Sequence, residues 1–123
     1  MSGKSIVSDT NPLIYLLQGN SLAEEYLDGR QVWISVISEL ELFGKKGLKP
    51  TEILVIQDLV DHCFITDLNP GIKKYTKELL QNTNLKLPDA IVAATALYLD
   101  LPLLTADIQF RQIDGLKLIL LEF

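Results

Sequence analysis

A chain of 123 residues, 48% of them hydrophobic, can form one domain with a true core, and no Pro-, Gly- or Ser-rich linker divides it. The net charge of −5 excludes a nucleic-acid binder that works by blanket positive charge, and charges break the apolar runs well short of the ~20 residues of a membrane span. The single cysteine, Cys63, excludes a disulfide framework or a cysteine metal cage, and Met1-Ser2-Gly3-Lys4 leads into a strand with no signal-peptide pattern, so a cytoplasmic location is expected.

Ile6 to Ser8 reads as the first strand, and Pro12 to Leu17 as a helix closed by Gly19. Pro12 suits the first helical position and Asn11 the cap before it, which leaves Asp9 at the strand end without a capping task. Ser21 and Glu24 have capping-box spacing, so a short helix through Leu27 is expected, ended by Gly29. Val32 to Ile37 is β-branched and aromatic and predicts a second strand, after which Ser38-Glu39-Leu40-Glu41 opens a helix to about Gly44. Thr51 to about Asp61, with Ile53, Ile56 and Val60 three and four apart, predicts a helix before a third strand at Cys63 to Thr66. The lone His62 between them reads as structural.

Pro70 to about Gln81 is amphipathic, with Ile72, Tyr75 and Leu79 on one side and lysines on others. Pro88 to about Leu99 has almost no polar face and predicts a buried helix whose alanines let neighbouring backbones come close, with Asp89 as the acid near its start. Leu103 to Thr105 is a short strand followed by Asp107, and Lys117 to Leu121 is the last. Strands alternating with helices predict a three-layer α/β/α sandwich around a central, mainly parallel sheet, within a single domain spanning 1–123.

Asp9, Glu41 and Asp107 each follow a predicted strand and Asp89 opens the buried helix, so all four can face the crevice beyond the strands' carboxyl ends, where ligands bind in such sheets. Each also has a plainer role open to it. Asp107 can cap the turn at Ile108, Asp89 can complement a helix dipole, and Glu41 stands three after Ser38, as in a capping box. Nucleophile–base pairs and glycine-rich phosphate loops are missing, whereas grouped carboxylates suit a hard divalent cation such as Mg2+ or Mn2+. Lys45, Lys46 and Lys49, just beyond the Glu41 helix, could contact phosphates but read better as a solvated turn.

Four segments in this order resemble the PIN-domain ribonucleases, in particular the VapC-like toxins of toxin–antitoxin pairs: Asp9-Thr10-Asn11, Ile34 to Leu42, Asp89 to Ala96, and Leu104 to Phe110. Carried over position by position, the resemblance implies that Asp9, Glu41, Asp89 and Asp107 are catalytic and hold Mg2+ or Mn2+, with Asn11 and Thr105 as supporting polar groups. Residues two apart on a helix face differently, so only one of Glu39 and Glu41 reaches the crevice easily, and the resemblance favours Glu41. It further implies hydrolysis of RNA phosphodiester bonds, a cognate antitoxin protein as partner, a homodimer, and no membrane. Two other readings use the same features: a phospho-acceptor receiver domain, which wants paired acids after the first strand where this chain has Ser8-Asp9, and a non-catalytic binding module on the same fold.

Overall fold

Successive residues of a strand point to opposite faces of its sheet, and in β1 (Ser5–Ser8) Ile6 and Val7 are both fully buried. A strand apolar on both faces belongs in the middle of a parallel sheet covered by helices on each side. The computed structural model, which describes residues 4–122, places β1 there. It pairs on one edge with β2 (Gln31–Ser35) and on the other with β4 (Leu103–Thr105), registering Ile6 with Val32 and Val7 with Leu103. β3 (Phe64–Thr66) lies outside β2 and β5 (Leu118–Leu120) outside β4, giving five parallel strands in the order β3-β2-β1-β4-β5.

Two cores follow from the alternation. Val7 and Leu103 pack under α5 (Pro70–Asn82) and the alanine-rich α6 (Leu87–Leu99), while Ile6, Ile34 and Leu104 pack under α1 (Thr10–Leu17), α2 (Ser21–Leu27) and α4 (Pro50–Asp61). The expected three-layer α/β/α sandwich is therefore what forms. α3 (Val36–Leu42) lies between the layers, sending Leu42 into one core and Ile37 against the other. Where α5 meets α6 a Cβ on Gly71 would lie 2.4 Å from the Tyr98 ring, so the missing side chain is what permits the approach. Gly19 and Gly29 take the left-handed conformation expected of them, at φ 81° and 72°.

The local corrections concern caps and one helix face. Asp9, not Asn11, caps α1: its carboxylate accepts from the Thr10 amide, and Pro12 sits third in the helix, where its missing N–H costs nothing because the first-turn amides have no intrahelical acceptor. Asn20 rather than Ser21 caps α2, accepting from Ala23. β2 ends at Ser35, whose hydroxyl accepts from Ile37, so Val36 and Ile37 belong to α3 and not to the strand. In α4 only Ile56 and Val60 are buried. Ile53, Leu54 and Val55 are exposed, since three consecutive residues cover over half a helix's circumference and cannot all face the core. Among the described residues no helix is long and apolar enough to cross a membrane.

Candidate active site

The strand order reverses between β1 and β4, so the loops leaving their carboxyl ends part and open a crevice. Asp9 stands at that parting. Its amide donates to the Leu104 carbonyl at 2.8 Å, which carries the β1–β4 pairing one residue past the strand. Its side chain is nearly sealed, 6% exposed, with Oδ1 accepting from the Thr10 amide at 2.8 Å and Oδ2 from the Thr105 hydroxyl at 2.8 Å. Burial pushes its carboxyl up to about 6, the two hydrogen bonds resist the rise, and the charges of Asp89 and Glu41 add to it.

Asp107 follows β4. Its amide donates to the Thr105 hydroxyl at 3.0 Å while its Oδ1 accepts from the Gln109 amide at 2.9 Å, so the capping task expected of it at the 3-10 turn Ile108–Gln112 is real and occupies one carboxylate oxygen. Asp89 is third in α6, and its carboxyl, half-buried, is raised first by burial and then by the charges of Asp107 and Glu41, with Lys86 opposing. Its first-turn position also complements the helix dipole.

Glu41 lies near the end of α3 and is exposed, yet one oxygen accepts from the Thr10 hydroxyl at 2.5 Å. The capping-box role open to it disappears, because Ser35 and not Ser38 is the cap. Glu39, two residues earlier, is absent from the charges felt by either Asp9 or Asp89. Asn11 is exposed on the second position of α1, and none of the hydrogen bonds described around the acids involves it. Thr105, by contrast, is fully buried between Asp9 and Asp107. The residue that sequence reasoning passed over is Thr10, 7% exposed, which joins Asp9 to Glu41.

Lys86 offsets part of the negative charge around Asp89. Among the described residues no three His, Cys, Asp or Glu side chains stand close enough to cage a metal ion as they are. Carboxylate oxygens are the donors that a hard divalent cation such as magnesium takes, alongside several of its own waters. Cys63 offers no alternative chemistry, because burial pushes its thiol up to about 11. Beside Glu41 a largely apolar groove of about 470 Å³ runs between α1, α3 and α4, lined by Ile14, Leu17, Leu42, Leu48, Val55 and Ile56 among others.

The PIN-domain family model matches residues 6–116. The chain belongs to the PIN-domain family. Among solved structures this PIN domain is similar to a toxin–antitoxin complex from Klebsiella pneumoniae, at 31% identity over 93% of this chain and 95% of that one, with a TM-score of 0.80. It shares its fold with VapBC2 from Rickettsia felis bound to a promoter DNA fragment, at 19% identity, 94% and 97% coverage and a TM-score of 0.79. It likewise shares its fold with VapBC-1 from nontypeable Haemophilus influenzae, at 23% identity, 94% and 97% coverage and a TM-score of 0.77. No curated protein matches the chain. Membership of the PIN-domain family sets aside the receiver-domain reading.

Proposed function

We propose that this PIN domain is a magnesium- or manganese-dependent endoribonuclease, the toxin of a toxin–antitoxin pair. The observation that carries the reading is Asp9: a carboxylate sealed at the parting of β1 and β4, charged against its own burial, with Asp89 and Glu41 adding negative charge. Such an arrangement works against the folded state unless a cation joins it. Asp9, Glu41, Asp89 and Asp107 would hold the ion. A bound divalent cation supplies positive charge at the scissile phosphate and lowers the pKa of a water.

The chain's own residues prepare that event. Thr105 and the Thr10 amide fix both oxygens of Asp9, so its carboxylate presents one orientation to the crevice. Asp107 has one oxygen held by the Gln109 amide and the other left for the site. Asp89 projects from the first turn of α6, beside amides that carry partial positive charge and favour a bound phosphate. The chain's acidic balance, with a net charge of −5, argues for a short structured RNA rather than a long strand held along its backbone.

Purified protein incubated with RNA is expected to cleave internal bonds in manganese and to stop in EDTA. Glu41→Gln is expected to lose on the order of 100-fold in rate, while Glu39→Gln stays within about threefold of the parent. Cleavage in EDTA overturns the metal dependence, and the opposite ranking of the two variants reassigns the site acid to Glu39.

The antitoxin partner is supported by the similarity to a toxin–antitoxin complex and by the largely apolar groove, which the exposed Val55 lines. With it we propose a homodimer. Light scattering at micromolar concentration is expected to give twice the chain mass, and expression without a partner to arrest growth. A harmless monomer rejects both.

A further inference from the structure

We propose that Thr10 is a positioning residue, whose hydroxyl holds Glu41 in register with Asp9 so that acids from distant segments reach the crevice as one unit. The proposal rests on the reading of these acids as a cation site. An exposed glutamate turns about three side-chain bonds, and nothing in α3 by itself fixes where the Glu41 carboxylate points. Thr10 does. Its hydroxyl donates to Glu41 Oε1 across 31 positions of sequence, and its amide donates to Asp9 Oδ1, so a single buried residue faces both carboxylates.

The same arrangement recurs on the other side of Asp9. The Thr105 hydroxyl donates to Asp9 Oδ2 and accepts from the Asp107 amide. A continuous hydrogen-bonded chain thus runs Glu41, Thr10, Asp9, Thr105, Asp107, and only Asp89 stands outside it, linked through charge. A threonine that merely packed would leave its hydroxyl to a nearby backbone carbonyl, as Thr76 and Thr95 do with Ile72 and Ile91. Thr10 gives its proton to a carboxylate instead.

The test is manganese binding alone, by calorimetric titration of the full chain after stripping with EDTA, with circular dichroism to verify the fold. Thr10→Val keeps shape and burial but removes the donor, and is expected to weaken manganese binding about 10-fold, the scale of lost outer-shell partners of metal ligands. Thr10→Ser restores the donor and is expected to bind within about threefold of the parent. In a Glu41→Gln background, Thr10→Val is expected to add little, since the carboxylate it holds is gone. A parent that takes up manganese beside a Thr10→Val variant that binds equally tightly overturns the positioning role and leaves the cation site standing. A parent that takes up none overturns the cation site and the positioning role together. Should Thr10→Val not fold, Thr10→Ala takes its place, and its binding is read in the same way.

Discussion

Asp9→Asn is expected to lower RNA cleavage by at least roughly 100-fold while leaving the protein folded and, without metal, no less stable than the parent. Asparagine is as good a helix cap as aspartate, so the bond from the Thr10 amide survives, and its side-chain oxygen still accepts. What disappears is a charge that burial and two neighbouring acids oppose. A carboxyl raised from 3.8 to about 6 sets the penalty at pH 7 on the order of 2 to 3 kcal/mol, at 1.36 kcal/mol per pH unit, before losses at the new amide are counted. In EDTA the variant should therefore melt level with the parent or above it. On adding manganese the order should reverse, because a ligand stabilises only as far as the folded state binds it. Were Asp9 purely structural, the variant would melt lower in EDTA and manganese would raise both proteins alike. Melting curves in the two buffers beside the cleavage assay decide between these patterns.

The metal-free protein is expected to grow more stable as pH falls from 7 towards 5, against the usual trend of acid denaturation. Asp9 binds its proton more tightly folded than unfolded, so its contribution is fully present below 3.8 and is lost as pH rises through about 6. Asp89, also raised by burial and its acidic neighbours, acts in the same direction. Between pH 7 and pH 5 the Asp9 part amounts to about 1 kcal/mol, roughly 4 °C in melting temperature for a domain of this size. Denaturant midpoints in EDTA across that range measure it. Asp9→Asn should flatten most of the slope, and a parent more stable at pH 7 than at pH 5 would contradict the placement of Asp9 as a buried charged group.

Element type and order were legible in the sequence because strands and helices here differ in period, and the placement of β4 at Leu103–Thr105 could be read directly. Boundaries were harder, for a physical reason visible at Ser35. β2 stops where its pairing with β3 runs out, at Ser35 opposite Thr66, and Val36 and Ile37 then enter a helix despite their preference for strands. Nearby residues able to cap compete in the same way. Asp9 displaces Asn11, accepting from the Thr10 amide, and Asn20 displaces Ser21, accepting from the Ala23 amide.

The acids of the candidate site could be picked out because Asp9 and Asp107 come shortly after strands and Asp89 opens the one helix without a polar face. Asn11, expected to lend support, is exposed, and the residue hydrogen-bonded to Glu41 at that end is Thr10. A hydroxyl reaching a carboxylate 31 residues away leaves no periodic trace, so although Thr10 stands inside the Asp9-Thr10-Asn11 segment, its bond to Glu41 could not be read from spacing.

The central position of β1 also governs how the chain comes into being. β1 is made before the other strands of this sheet yet is its middle strand, and one of its edges has no neighbour until Leu103–Thr105 have been made. Until then Asp9 lacks the Thr105 hydroxyl, 96 positions further along, and the company of Asp107. Pairing across such a separation is slow and comes late in folding. A chain cut short before β4 would thus carry Asp9 without the hydroxyl and the second acid that complete the candidate site.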